Sequence, residues 1–254
     1  MTMTDKAVLV TGANRGIGRA LVEEALRRGA QRVYAAARHP SVHPDARVTP
    51  LTLDVTDAAQ IHSAAGEVDS LDILINNAGV ALYDDLSDPS VLEHHLAVNL
   101  FGLYAVTQAF LPLLTRSAGA VVNNLSVNAL APLPLIPAYS VSKAAAFNLT
   151  QSLRAVLAAS GVSVHAVLTG PTDTDMTKGL DIPKAAPDSV ARAIFDGLEQ
   201  RHDDIFPDPV SQSLAELWQT GPAKVLERQY AALLGATPVA YTPAHPIRAE
   251  GITS

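Results

Sequence analysis

The sequence predicts a doubly wound α/β fold: a seven-stranded, mainly parallel sheet with helices on both faces. Three observations carry that prediction. Short apolar runs alternate with helical patterns along most of the chain, no internal repeat or long linker divides it, and its 254 residues suit one such domain. With 48% hydrophobic and 17% charged residues a sizeable core is within reach. The absence of cysteine removes disulfides, thiolate catalysis, iron–sulfur clusters and cysteine-ligated zinc.

The first strand is expected at Ala7–Val10, an Ala-Val-Leu-Val run that breaks into a glycine turn. A helix near Ile17–Arg28 follows, because Ala20, Leu21, Ala25 and Leu26 recur at helical spacing. Comparable apolar runs place strands at Arg32–Ala36, Val48–Leu53, Leu71–Asn76, Ala120–Leu125 and Ser163–Leu168, with a short one at Ile205–Phe206. Between them helices are expected near Asp57–Ala65, Ser90–Leu114, Tyr139–Ala159 and Pro187–Glu199, with one or two more in Ser211–Leu234. The most apolar stretch, Leu96–Leu114, is interrupted by Asn99, Gln108 and Pro112, so it reads as a buried helix and not a membrane span. No basic-then-apolar signal region opens the chain, and a soluble, cytoplasmic protein is expected. Residues 1–235 are read as one domain. Residues 236–254, with three prolines and no apolar periodicity, are read as an extended or disordered tail.

The net charge of −7 is unevenly spread. Residues 1–50 hold eight of the eighteen lysines and arginines against four acids, while Val48–Thr115 holds no basic residue at all. That leaves no extended basic stripe for a nucleic acid and favours a small anionic ligand near the N-terminus.

The string Thr11-Gly12-Ala13-Asn14-Arg15-Gly16-Ile17-Gly18 joins the first strand to the first helix. Strand, glycine turn and helix form the context of a Rossmann-like dinucleotide site. Gly12 permits the tight turn, Gly16 lets the backbone approach a pyrophosphate, and Gly18 lets the helix pack closely on the strand. The helix N-terminus offers unpaired N–H groups to phosphate oxygens, with Asn14, Arg15 and Ile17 completing the turn. An NAD site carries an acid at the end of the second strand to bind the ribose 2′-OH. Here the chain reads Ala36-Ala37-Arg38-His39, with no acid. A 2′-phosphate would instead sit between Arg38 and Arg15, so NADP(H) is the expected cofactor.

Tyr139 and Lys143 are four apart at the start of a predicted helix, which puts phenol and ammonium on one face. Bringing a tyrosine from its usual pKa near 10 to neutrality takes about 4 kcal/mol of preferential phenolate stabilisation. Lys143 and the cationic ring of an oxidised nicotinamide are the groups available to supply it. Ser126 stands just past the strand Ala120–Leu125, where its hydroxyl can hydrogen-bond a substrate oxygen.

Taken together, these motifs resemble the short-chain dehydrogenase/reductase family in its single-domain branch, over roughly Lys6 to Met176. The motifs occur in the family's order: the turn Thr11–Gly18, Asp54-Val55, Asn76-Asn77-Ala78-Gly79, Asn99, Ser126 and Tyr139-x-x-x-Lys143. The resemblance implies that Tyr139 is the general acid/base, that Ser126 holds the substrate oxygen, and that Lys143 grips the nicotinamide ribose while lowering the tyrosine pKa. It implies that Asn99 holds a water against Lys143 at the end of a proton relay. It places Asp54 and Val55 at the adenine, Asn77, Ala78 and Gly79 beside the adenosine ribose, and Asn76 in the service of the sheet. Thr169-Gly170-Pro171-Thr172-Asp173-Thr174 is similar to the family's nicotinamide loop, with Thr169 in place of a proline, and makes Gly170, Thr172 and Thr174 cofactor candidates. A homodimer through helices 90–114 and 139–159 is also implied, although Asp203–Pro209 replaces the family's usual closing strand.

The loop Val127–Ala138 has no charge, no glycine and three prolines. Its ends are fixed near the chemistry, so Asn128, Leu130, Leu133 and Ile136 join Ser126 as substrate-wall candidates. Residues Asp175–Ala186 are expected to form a mobile lid, with Met176 and Leu180 as apolar contacts and Gly179 as hinge. The adjacent His94 and His95 face different directions on a helix, and no histidine spacing suggests a metal site. Asp84-Asp85 and Asp203-Asp204 read as solvated turns. The expectation is therefore an NADP(H)-dependent oxidoreductase acting on a moderately apolar ketone, aldehyde or secondary alcohol. The alternatives are a 3-oxoacyl-thioester reductase, disfavoured by the acidic balance beyond residue 50, and a non-catalytic nicotinamide-nucleotide sensor, which has no need of the Ser-Tyr-Lys set.

Overall fold

The computed structural model describes residues 2–236. Its strands are β1 (Ala7–Thr11), β2 (Arg32–Ala37), β3 (Val48–Thr52), β4 (Ile73–Asn76), β5 (Ala120–Asn124), β6 (Ser163–Val167) and β7 (Asp204–Ile205). They form one sheet in the order β3-β2-β1-β4-β5-β6-β7 with every neighbouring pair parallel. All seven expected strands are present, with ends displaced by no more than a couple of residues. The expected tail lies outside the described residues.

Strand periodicity sorts the apolar side chains into two layers. Val8, Val10, Ile73, Ile75 and Val122 point to one face, where α1 (Gly16–Arg27) and the later helix α6 (Pro187–Glu199) bury Leu21, Ala25, Ile194 and Phe195. Ala7, Leu9, Leu74 and Val121 point to the other. There they meet Ile61 of α2 (Ala58–Glu67), Val106 and Phe110 of α4 (Leu103–Ser117), and Leu153 of α5 (Pro137–Leu157). The sheet is thus covered on both sides, as a parallel sheet requires.

The expected single helix 90–114 is three pieces: α3 (Pro89–Leu96), a π-helical stretch Ala97–Gly102, and α4. The wider turn coincides with two local constraints. Asn99 is buried and bonded to the backbone of Val80, and Gly102 lies so close to Val55 that a Cβ there would come within 2.7 Å of a valine methyl. By length and composition Pro89–Ser117 could cross a membrane, but in the fold Val106, Phe110 and Leu114 of this segment are buried against the sheet.

The C-terminal part adds α7 (Pro209–Thr220) and α8 (Pro222–Ala236). Of the pair Asp203-Asp204, Asp203 is exposed as expected, but Asp204 is not solvated. Asp204 is buried in β7, where its carboxylate meets Arg154 at 2.8 Å, Lys224 at 2.6 Å and the Trp218 indole N–H at 2.8 Å. Glu227 also pairs with Arg154 and Lys224, so the cluster ties α8 to α5 and the sheet edge. Burial pushes the Asp204 carboxyl up, but the two cations and the Lys224 and Trp218 hydrogen bonds outweigh it and hold the pKa below its ordinary value. Such a group contributes stability above its unfolded pKa, and loses it as the pH falls through the lowered folded value. Removing one member of a buried ion-pair cluster strands the others, so Asp204→Ala should lower unfolding free energy in urea by about 3 kcal/mol. A loss within experimental error would show that the cluster is not structural.

Candidate active site

A cleft of about 870 Å³ runs along the C-terminal ends of the strands. It lies where the strand order reverses between β1 and β4, the topological switch point at which open α/β sheets place their ligands. Each strand end delivers residues to it: Gly12 after β1, Arg38 after β2, Asp54 and Val55 after β3, Asn77–Gly79 after β4, Ser126 after β5 and Gly170 after β6.

Its floor is the glycine turn. Gly12 has φ +65°, a left-handed conformation that L side chains rarely adopt. At Gly18 a Cβ would lie 2.1 Å from the Gly12 carbonyl oxygen, so only glycine allows α1 to start this close to β1. No side chain caps the N-terminus of α1, and no acid stands in its first turn. By contrast Asp57, Asp88 and Asp208 cap α2, α3 and α7. The uncapped N–H groups and positive helix end fit a pyrophosphate. Asn14, Arg15, Gly16 and Ile17 all line this part of the cleft.

The basic N-terminal segment is mostly neutralised within the fold. Lys6 pairs with Asp72, Arg47 with Asp45, and Arg27 and Arg28 share Glu24. Arg15 is not free beside Arg38: its guanidinium is 2.7 Å from Asp175, bridging the glycine turn to the segment after β6. Arg38 keeps an exposed side chain with no ion-pair partner among the described residues, and its charge helps lower the Asp54 pKa behind the dominant hydrogen bonds from Thr56.

The reactive end is built on α5. Tyr139 and Lys143 are both buried, with the Lys143 Nζ 5.7 Å from the tyrosine ring centroid. Lys143 donates to the backbone carbonyl of Asn124 at 2.9 Å and makes no ion pair among the described residues. Desolvation brings its pKa down to about 8. Burial raises the Tyr139 pKa above its ordinary value, a hydrogen bond with Ser126 opposing it. The expectation that Lys143 lowers the tyrosine is thus not met in the protein alone. Here desolvation dominates, and Tyr139 is a neutral phenol. Ser126 accepts from the Asn128 N–H, which fixes its hydroxyl oxygen near the phenol.

The other candidates around the cleft are held by hydrogen bonds of their own. The Asn99 carboxamide exchanges hydrogen bonds with both the N–H and C=O of Val80 and donates to Ser142, and its Oδ1 and the Lys143 Nζ both border Gly79. Asn77 lines the cleft, but its side chain donates to the Thr11 and Gly12 carbonyls and accepts from Asn124, lacing β1, β4 and β5 together. Asn76 is buried between Thr107 and Asn123, in the service of the sheet. Thr169, where the family motif has proline, donates to Asn124 at 2.7 Å. Gly170 gives its N–H to Asp208, and a Cβ there would collide with that carboxylate. Thr172 and Thr174 line the cleft, and the Thr174 methyl lies against Gly16.

Of the substrate candidates, Asn128, Leu133, Ile136, Met176 and Leu180 line the cleft beside Ser126. Ser140 staples the wall, accepting from the Leu133 N–H and donating to the Ile136 carbonyl. Leu130 does not line it. It packs instead against the buried cluster of Leu103, Leu125 and Phe147. The wall also contains Tyr83, His94, Leu135, Ile182 and Val210, which no local motif marked. The segment after β6 is pinned at its base by hydrogen bonds joining Asp173 and Pro171 to Ala185, with Gly179 at φ +86° near its tip.

Fold and site together define a dinucleotide-binding oxidoreductase with a serine, a tyrosine and a lysine at its reactive end. A family model described as short chain dehydrogenase matches residues 6–184, and the chain belongs to that family. An uncharacterized oxidoreductase of Staphylococcus epidermidis is 33% identical over 211 residues, covering 77% of this chain and 92% of that one. The short chain dehydrogenase tazN of Aspergillus terreus is 35% identical over 210 residues, which span 74% of this chain but only 45% of that longer protein. A crystal structure of a short chain dehydrogenase from Burkholderia cenocepacia in complex with NADP superposes with a TM-score of 0.83 at 34% identity, covering 90% of this chain and 98% of that one.

The buried lysine yields a direct prediction. Its folded pKa lies below the unfolded value of 10.5, so this group favours folding increasingly as the pH rises from about 8 toward 10.5. In the cofactor-free protein the Lys143 ε-carbon, followed by NMR and assigned with Lys143→Met, should titrate near 8. A titration at the ordinary lysine value would contradict the burial.

Proposed function

We propose that the protein is an NADP(H)-dependent carbonyl reductase or alcohol dehydrogenase, moving hydride between the nicotinamide and a moderately apolar ketone, aldehyde or secondary alcohol. The observation that carries this reading is the convergence of Ser126, Tyr139 and Lys143 in one cleft whose outer wall is formed by Leu133, Leu135, Ile136, Met176 and Leu180. When bound, the cofactor supplies or accepts the hydride. The chain's own groups do the rest.

In the reductive direction the apolar wall holds the substrate with its oxygen toward Ser126 and Tyr139. Ser126 donates a hydrogen bond to that oxygen, and Tyr139, a neutral phenol in its buried setting, gives up the proton as negative charge develops there. Lys143 has ammonium donors beyond the one given to Asn124, and these are suited to ribose hydroxyls. A cation beside the phenolate also offsets the desolvation that keeps Tyr139 protonated in the protein alone.

Preference for NADP(H) rests on Arg38 at the end of β2, which has no ion-pair partner among the described residues, and on the missing acid at that position. The Burkholderia relative in complex with NADP supports it. Arg15 would exchange Asp175 for a phosphate at little cost, because the pair is exposed. The segment 175–186 acts as a lid over the apolar wall in this reading. Exposed Phe101, Tyr104 and Val141 support a homodimer through the helices that carry the catalytic residues.

A panel of carbonyl compounds with NADPH, followed by cofactor absorbance, should reveal turnover, and Tyr139→Phe should reduce kcat by about 10²–10⁴-fold. Turnover near the parent rate in that variant would overturn the assignment of the acid. Loss of charge-assisted hydrogen bonds should make Arg38→Ala raise the KM for NADPH about tenfold or more and leave that for NADH nearly unchanged. Equal weakening of both cofactors would overturn the NADP(H) assignment.

A further inference from the structure

His95 is fully buried although nothing in its sequence context marks it, and it sits directly against the reactive tyrosine. Its ring meets the Tyr139 ring edge-on, with centroids 6.2 Å apart and planes at 72°. Both ring nitrogens are engaged. Nδ1 lies 2.7 Å from the Val91 carbonyl oxygen, which can only accept, so Nδ1 carries the proton. Nε2 is then the acceptor for the Leu82 N–H at 3.0 Å. The partners fix His95 as one neutral tautomer.

Leu82 belongs to the strap 80–86 between β4 and α3, which supplies Val80, Ala81 and Tyr83 to the cleft. The strap has no regular structure of its own, and three side chains hold it. Asn99 binds both backbone groups of Val80, His95 binds Leu82, and the Asp84 carboxylate accepts from the Ala138 N–H at 3.3 Å. That last contact caps the N-terminus of α5 one residue before Tyr139, a helix end whose own N-cap, Ile136, offers no side-chain acceptor. Asp84 is therefore no solvated turn. His95 is the member of the three that touches both the strap and the catalytic ring.

We infer that His95 is a positioning residue for the reaction: it backs the ring of Tyr139 and holds the strap 80–86 at the spacing that brings Tyr139 against the substrate oxygen. This rests on the proposed role of Tyr139 as proton donor. A buried histidine that merely filled space would be replaced well by an apolar side chain of similar size. A positioning histidine needs an acceptor where Nε2 stands, and the glutamine carboxamide oxygen reaches the same distance from the backbone.

The test compares His95→Leu, His95→Phe and His95→Gln, with Tyr139→Phe as control. In the Leu and Phe variants kcat for NADPH-dependent carbonyl reduction should fall about tenfold or more, because small displacements of a catalytic group are costly, while NADPH affinity measured by fluorescence stays within about threefold. His95→Gln should recover most of the lost kcat. If His95→Leu fails to fold, His95→Phe carries the comparison. NMR of protein with 13C-labelled tyrosine gives a readout that does not depend on turnover: the Tyr139 signal, identified by its loss in Tyr139→Phe, should move in the Leu variant. Parent kcat in the Leu or Phe variant, equal kcat in Phe and Gln, or an unmoved Tyr139 signal would overturn the inference. A loss in Tyr139→Phe without one in His95→Phe would overturn it while leaving the proposed reaction standing.

Discussion

The arrangement of the reactive end depends on one buried ammonium. Lys143 lies almost wholly inside the protein and, among the described residues, has no carboxylate beside it and makes a single hydrogen bond, to the carbonyl of Asn124. Burying a cation with so little compensation is unfavourable, and its pKa near 8 is the signature of that cost. Folding tolerates it because the surroundings are fixed by other means. Asn124 is the last residue of β5, in the middle of the sheet, and its side chain is tied to Asn77 and Thr169. α5 is pressed onto the sheet by Ala146, Phe147, Leu153 and Leu157.

The same logic runs through the asparagine set. Asn76, Asn77 and Asn124 lie at strand ends, where parallel ladders leave backbone groups unpaired, and Asn99 faces them from the π-helical stretch: Asn77 and Asn99 satisfy backbone groups of Thr11, Gly12 and Val80, Asn124 donates to Asn77, and Asn76 ties Thr107 to Asn123. Those bonds hold the loops of β1, β4, β5 and β6 at fixed distances, so the cleft is organised before any ligand enters. The π-helical stretch around Asn99 belongs to this device. It lets one helix serve the core with Val106 and Phe110 and the loop at Val80 with Asn99.

Much of this was legible in the sequence. The strand pattern depends on local periodicity, and every strand appeared where the apolar runs stood. The glycine turn and the Tyr139–Lys143 pair were legible because their chemistry is local: left-handed φ at Gly12, close packing at Gly18, and one helical turn between phenol and ammonium. What could not be read is what depends on distant partners. The pairing of Arg15 with Asp175 is one case. So are the burial of Asp204 against Arg154 and Lys224, the turn of Leu130 into the core, and the reach of Asp84 to α5. The upward shift of Tyr139 was missed for the same reason. Spacing places a lysine beside a tyrosine, but only the folded surroundings show that desolvation of the phenol outweighs its hydrogen bond with Ser126.

If the remaining donors of Lys143 fix the nicotinamide ribose, they set the reacting carbon before Ser126 and Tyr139. A crystal structure of the protein grown with NADP tests this most directly. Ribose hydroxyl oxygens should lie within hydrogen-bond distance of the Lys143 Nζ, and the 2′-phosphate against Arg38. A nucleotide bound elsewhere, or bound in the cleft with Lys143 still contacting Asn124 alone, would contradict it.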